Sequence, residues 1–203
     1  ISNFSFFYAH HMSTIEGGMI CTNDNKIYQQ ARMLRSHGMV REANDATIKE
    51  NYYKENPSLH PDFIFAFPAY NVRNTEIGGI MGLSQLKRLD ENIERRTKNL
   101  HRFLDQLNSK IYRTDFKLEG SSNYAFNLIL KEPDDLLVLK LMKKMKSSDL
   151  EFRRGSAGGG NQTRQPYLKD IVPNNHYKSF PETEHVHFYG FYIGTSPDLK
   201  SEE

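Results

Sequence analysis

The sequence predicts an α/β chain in two parts, and three observations carry that prediction. Met19-Ile20-Cys21-Thr22 reads as a short buried strand, followed at once by a helix with Ile27, Ala31 and Leu34 at i, i+4 and i+7. From residue 76 a long amphipathic helix is expected, with Ile77, Ile80, Met81, Leu89, Ile93, Leu100, Phe103, Leu104 and Leu107 at helical spacing. Beyond Asn108-Ser109 the pattern becomes strand, helix, strand. The expected division is therefore residues 1–108 and residues 109–203.

Taken in order, Asn23 or Asp24 is placed to cap the first helix, which stops near His37-Gly38 with glycine at its C-terminal cap. Residues 39–68 carry little apolar period before Phe63-Ile64-Phe65 and read mostly as a long surface excursion. Asn74 or Thr75 can cap the long helix, and Glu76 suits the positive end of its dipole. Gly78, Gly79 and Gly82 in its first turns argue for close backbone approach, because glycine weakens a helix interior.

Asn123 to Leu130 reads as a half-buried strand, and Asp134 caps a helix carrying Leu137, Leu141 and Met145 inward and its lysines outward. A short strand at Glu151-Phe152-Arg153 leads into a glycine-rich loop bounded by Arg153, Arg154 and Arg164. Backbone amides flanked by guanidinium groups suit an anion, although three glycines also serve plain flexibility. His185 to Ile193 is aromatic-rich and resembles the closing strand of the family named below. An H-x-H pair on a strand points both rings to one face; the aromatic-rich surroundings favour a structural strand over a metal site.

Composition narrows the function classes. The chain has 203 residues, 27 basic against 25 acidic side chains and a formal net charge of +2. That balance gives no basic stripe for nucleic acid. No apolar run is long enough for a membrane span and no signal-peptide pattern is present, so a cytoplasmic protein is expected. The single Cys21 leaves no internal disulfide framework and no four-cysteine metal or iron–sulfur site.

The chemistry-bearing stretch is Ser5-Phe6-Phe7-Tyr8-Ala9-His10-His11-Met12-Ser13-Thr14-Ile15-Glu16-Gly17-Gly18. Taken alone, its histidines fit packing, Ser13-x-x-Glu16 fits a helix-capping box and Gly17-Gly18 fits an ordinary turn. As a whole it resembles the cofactor-lysine segment of the DegT/StrS sugar aminotransferases, which reads Ser-Phe-x-x-x-Lys and then Glu-Gly-Gly. Pro68-Ala69-Tyr70-Asn71-Val72-Arg73-Asn74-Thr75-Glu76 is similar to the same family's Tyr-Asn-x-Arg-x-Thr-Glu signature. The resemblance departs at one place: His10 stands at the lysine position. It shares that departure with the family's lysine-less 3-dehydratases of the GDP-4-keto-6-deoxymannose type.

The resemblance implies the C-terminal half of a type I aminotransferase fold. Residues 1–108 would end the large cofactor-binding domain with a long interface helix, and 109–203 would form the small α+β domain. The cofactor implied is pyridoxal 5'-phosphate, working as pyridoxamine 5'-phosphate. Ser5 would bind its phosphate, and Asn71 would reach the phosphate of the partner chain in a homodimer with shared active sites. Arg153, Arg154 or Arg164 would contact the diphosphate of a nucleotide-linked 4-keto-6-deoxy sugar.

Histidine changes the expected reaction. Imidazole cannot hold the aldehyde form of the cofactor covalently, but it remains a general base near neutral pH. His10 is thus expected to serve elimination of the hydroxyl at sugar carbon 3, with L-glutamate as amino donor and ammonia released. His11 is the alternative base, one residue off the lysine position. The family's other 3-dehydration uses a cysteine-ligated iron–sulfur cluster, which Cys21 alone cannot hold. Two rival readings are a 4-aminotransferase, which needs lysine at position 10, and a non-catalytic truncated partner.

Overall fold

A computed structural model of the chain describes residues 1–155 and 158–199. Ser156 and Ala157 of the glycine-rich block, and the last residues of the closing segment, 200–203, lie outside the described residues. The chain divides into two compact units, Ile1–Leu89 and Asp90–Glu203. The division falls at the start of the helix whose end, near Asn108, marks the expected boundary.

The first unit opens with β1 (Ser2–Ser5) and β2 (Gly18–Cys21), an antiparallel pair in which Ser2 faces Cys21 and Ser5 faces Gly18. Every residue of both strands is exposed. The apolar run 19–22, expected to be buried, instead lies mostly in one leg of a two-stranded ladder, with no third strand among the described residues. Helix α1 (Asn25–Leu34) follows, and the Asp24 carboxylate caps it by accepting from the Ile27 amide. Its buried face is Gln29 and Met33, one residue round from the expected Leu34. The turn after α1 uses left-handed backbone at His37 and Gly38, and the Gly38 amide reaches back to the Met33 carbonyl at 2.9 Å. Gly38 packs on the Phe67 carbonyl, leaving no room for a β-carbon.

Residues 39–68 are more structured than their polar composition suggests. They contain α2 (Ala46–Glu55), capped by Asp45, and they bury Val40, Ala43 and Ile64. These apolar residues sit singly on short turns, so no period betrays them. The expected long helix is two: α3 (Glu76–Leu86) and α4 (Leu89–Gln106). The stripe changes step between them. Ile77, Ile80, Leu83 and Leu86 recur every third residue and are exposed, while Arg96, Leu100 and Leu104 recur every fourth and are buried.

The second unit is built on α4 and an antiparallel sheet of order β3-β5-β4. Its strands are β3 (Ala125–Ile129), β4 (Arg153–Arg154) and β5 (Gly190–Gly194). Helix α5 (Asp135–Ser147) is capped by Asp134, as expected, and contributes Val138 and Met145 to a core with Leu128, Leu130 and Phe191. Phe191 has no exposed surface and meets Phe152 edge-on. Truncating such a residue to alanine costs about 3–5 kcal/mol. Arg96 is 6% exposed, and its guanidinium donates to the Thr195 carbonyl at 2.8 Å. Burial lowers its pKa from the ordinary value.

The expected closing strand begins later than its aromatic run suggests. Residues Pro181–Tyr189 form helix α6, with Pro181 in the first turn beside Glu182 and Glu184. On a helix, residues two apart point in nearly opposite directions. His185 therefore meets the Leu130 carbonyl while His187 faces Asn161. Among the described residues no group of three or more His, Cys, Asp or Glu could hold a metal ion, and no helix is long and apolar enough to cross a membrane.

Candidate active site

His10 lies in the loop that joins β1 to β2. The ladder continues past the strands, since the Phe6 amide donates to the Gly17 carbonyl and the Thr14 amide to the Phe6 carbonyl, each at 2.9 Å. These bonds close the base of the loop. Its outward leg turns where the His10 amide donates to the Phe7 carbonyl at 3.1 Å. Its return leg is set by two side chains: Ser13 Oγ accepts from the Ile15 amide at 3.1 Å, and Thr14 Oγ donates to the Glu16 carbonyl at 2.7 Å. Ser13 and Glu16 thus shape a loop rather than cap a helix. His10 is half-buried here, and Ser5 is exposed at the entrance.

Gly17 makes this loop possible. Its φ is +149°, and a β-carbon there would stand 2.6 Å from Thr14 Oγ, 3.4 Å from Asn74 Nδ2 and 3.7 Å from the Phe6 β-carbon. Gly78, in the first turn of α3, is pressed against Asn74 Oδ1 in the same way, and a β-carbon on Gly82 would meet Thr14 Cγ2 at 3.5 Å. The His10 loop and the Tyr70–Glu76 block therefore pack on each other through glycines. Sequence reasoning noticed the glycines but missed Thr14 and Asn74, the residues they make room for. The pairing of a double glycine with a glycine-rich helix start was the available signal.

Asn71 sits where the chain is zipped to the end of α1. The His37 amide donates to the Tyr70 carbonyl at 2.7 Å and the Val72 amide to the Arg35 carbonyl at 2.9 Å. The Asn71 side chain is exposed, and its Oδ1 accepts from Arg73 Nε at 3.1 Å. Thr75, not Asn74, caps α3 by accepting from the Gly78 amide. Asn74 Oδ1 accepts from the Thr75 amide at 2.8 Å.

The three arginines of the second unit have different surroundings. Arg153 is exposed, with its guanidinium 5.9 Å from the Tyr192 ring centre. Arg154 donates to the Phe188 carbonyl. Arg164 grips Glu184 through Nε at 2.8 and 3.1 Å to the two carboxylate oxygens and also through Nη2. Its guanidinium lies 3.9 Å from the Tyr177 ring centre and 5.0 Å from that of Phe188. Hydrogen bonding to Arg164, helped by Asn161, holds the Glu184 carboxyl below its ordinary range against the opposing effect of burial, and the same bond raises Arg164. A cavity of about 180 Å³ between α4 and residues 116–123 contains none of the expected site residues.

The donor set fits an anionic cofactor. Ser5 Oγ accepts from the Phe7 amide at 3.3 Å, which leaves the hydroxyl proton to donate. Asn71 uses its Oδ1 on Arg73, which leaves its amide nitrogen as a donor. Hydroxyl and amide donors of this kind suit phosphate oxygens.

Comparison with known proteins identifies the family. The model of the DegT/DnrJ/EryC1/StrS aminotransferase family matches residues 1–203. The chain is 34% identical over 197 residues to a GDP-4-keto-6-deoxy-D-mannose 3-dehydratase of Escherichia coli O55:H7, covering 96% of this chain and 50% of that protein. A solved E. coli GDP-4-keto-6-deoxy-D-mannose-3-dehydratase with bound hydrated PLP superposes with a TM-score of 0.73 at 29% identity, over 96% of this chain and 50% of that one. A second such structure holds PLP trapped together with glutamate; it matches with a TM-score of 0.72 at 28% identity, over 96% and 50% of the two chains. The chain spans about half the length of the curated relatives it matches. Its two units have the fold of half of a PLP-dependent sugar aminotransferase, and the chain belongs to the DegT/DnrJ/EryC1/StrS aminotransferase family.

Proposed function

We propose that the protein serves as a pyridoxamine-phosphate-dependent 3-dehydratase of a nucleotide-linked 4-keto-6-deoxyhexose, of the GDP-4-keto-6-deoxymannose type, in deoxysugar and O-antigen biosynthesis. One feature supports the proposal: His10 lies in a loop closed by Phe6 and Gly17, and the resemblance of Ser5-Phe6 and Glu16-Gly17-Gly18 to the family's segment sets it at the lysine position. The 34% identity to GDP-4-keto-6-deoxy-D-mannose 3-dehydratase supports the same assignment.

Bound pyridoxamine phosphate supplies the electron sink for loss of the hydroxyl at sugar carbon 3. Ser5 holds its phosphate through the hydroxyl proton, and Asn71 donates to the phosphate of a second copy of the chain in a homodimer. His10 in its neutral form accepts a proton on a ring nitrogen and then, as imidazolium, returns one to the departing oxygen, which leaves as water. Arg153, on the strand that enters the glycine-rich loop, faces the diphosphate. In the net reaction the carbon–oxygen bond at carbon 3 becomes carbon–hydrogen. Glutamate is oxidised to 2-oxoglutarate, and its nitrogen leaves as ammonia.

The test is to supply the full-length protein that contains this chain, since the 203-residue part alone is expected to be inactive, with GDP-4-keto-6-deoxy-D-mannose, pyridoxal phosphate and glutamate. The expected products are the 3-deoxy nucleotide sugar, ammonia and 2-oxoglutarate in equal amounts. An amino sugar without ammonia would instead identify a 4-aminotransferase, and no turnover would leave a non-catalytic partner.

A further inference from the structure

The glycine-rich loop is pinned to α6 by a network that no family motif explains. Asn161 is 2% exposed, and all of its polar groups on that side are engaged. Its backbone amide donates to His187 Nδ1 at 3.2 Å, and its Nδ2 donates to Glu184 Oε1 at 2.8 Å and to the Tyr177 carbonyl at 3.4 Å. Its Oδ1 accepts from the amide and hydroxyl of Thr163 at 3.0 and 2.7 Å. The same Glu184 is clasped by Arg164, whose guanidinium is boxed between Tyr177 and Phe188.

The neck of the loop is equally tight. Gly155 donates to the Gly190 carbonyl at 2.8 Å, and a β-carbon on Gly155 would come within 2.8 Å of the Gly160 backbone. Gly160 in turn lies against the His187 ring and backbone. Both ends of the loop are thus referred to α6 and β5. Arg153 stands two residues before that neck, so fixing the neck also fixes the strand end that carries it.

We infer that Arg164 and Glu184 are positioning residues: Arg164 does not contact the sugar nucleotide but, through Glu184 and Asn161, sets the glycine neck and Arg153 for the substrate diphosphate. This rests on the reading of the protein as a nucleotide-sugar enzyme. The fork of Arg164 is spent on a carboxylate, which leaves it poorly disposed to take a phosphate.

The two possible roles of Arg164 predict opposite signs for one substitution. Glu184→Gln weakens the clasp and frees the guanidinium. If Arg164 positions the loop, KM for the nucleotide sugar rises, about 10- to 100-fold for loss of a charge-assisted bond, with kcat nearly unchanged. Arg164→Lys should raise KM by a similar factor, and the double variant should add little to either. If Arg164 reaches the diphosphate itself, Glu184→Gln lowers KM or leaves it alone, which overturns the inference.

Amide hydrogen exchange on the 203-residue chain gives a second reading that needs no activity. Exchange at Asn161 and Gly155 should quicken in Glu184→Gln and Arg164→Lys. Quicker exchange with an unchanged KM overturns the positioning role, because the network is then only a brace. Unchanged exchange overturns it as well. A full-length protein that turns over no nucleotide sugar in any variant defeats the dehydratase reading and the positioning role with it, while exchange alone would still report the brace.

Discussion

Gly160 and His187 are in direct contact: a β-carbon on the glycine would overlap the imidazole, and the next amide, that of Asn161, donates to His187 Nδ1 at 3.2 Å. With φ at +88°, Gly160 also occupies backbone space that side chains rarely adopt. The glycine is therefore required twice, once by its torsion and once by its neighbour. Flexibility alone does not account for it.

Gly160→Ala should cost about 1–3 kcal/mol from the torsion, with more from displacing His187. Thermal unfolding measures the first effect. The second should appear as faster exchange at the Asn161 amide. Gly159 has similar torsion but open space beside it, so Gly159→Ala should cost only the torsional part.

The Arg164–Glu184 clasp should make the second unit acid-sensitive. Its carboxyl is held below the ordinary value of 4.5, chiefly by the hydrogen bond to Arg164. A group lowered on folding stabilises above its unfolded value and loses that contribution as pH falls through the folded one. Between neutral pH and about pH 5 the clasp should be constant, and below the ordinary carboxylate range it should fade. Glu184→Gln should flatten this acid limb in pH-dependent unfolding. A limb of unchanged steepness would assign the acid sensitivity to other carboxylates, such as Glu182 beside Arg113.

These features also mark what the sequence did and did not disclose. Asp134 was legible as a helix cap, and Asp24 and Thr75 each as one of two adjacent candidates, because a capping side chain is a local signal; all three accept the bond expected of a cap. The packing of the His10 loop on α3 was only half legible. Gly78 and Gly82 announced a close approach, whereas Gly79, grouped with them, has open space beside it and Gly17 read only as a turn; the residues approached, Thr14 and Asn74, depend on how distant segments meet. Helix α6 was hidden because its aromatic run joins β5 without a break. Pro181 and two early glutamates were the signs of a helix start there. The Asn161 network could not be seen at all, since a buried asparagine has the same letter as one in a loop.

Asn71 tests the homodimer. Asn71→Ala should weaken cofactor retention without unfolding the chain, since its side chain is exposed and the bond it accepts, from Arg73 Nε to its Oδ1, is local. Losing one hydrogen bond to a charged phosphate should cost about 1.5–3 kcal/mol. Mixing Asn71→Ala chains with His10→Asn chains should restore activity, because some sites in the mixed dimer carry neither defect. Absence of any recovery would mean that each site is built from a single chain.

Substitution of His10 tests the proposed base. His10→Asn keeps size and polarity but has no base, so it should abolish dehydration while leaving pyridoxamine phosphate bound. Loss of a general base costs about a hundred- to ten-thousand-fold in rate. The loop itself should survive, because its closing bonds run through the Phe6, His10 and Thr14 backbone and the Ser13 and Thr14 hydroxyls, none of which the substitution removes. Circular dichroism should show that the fold is kept. His10→Lys should behave differently, since an amine can bind the aldehyde cofactor covalently: borohydride should fix the label to the chain, dehydration should fall and amino transfer at sugar carbon 4 should appear. Wild type should take no such label. If His10→Asn dehydrated the sugar at the wild-type rate, the base would lie elsewhere, and His11, one residue along the same loop, would be the next residue to replace.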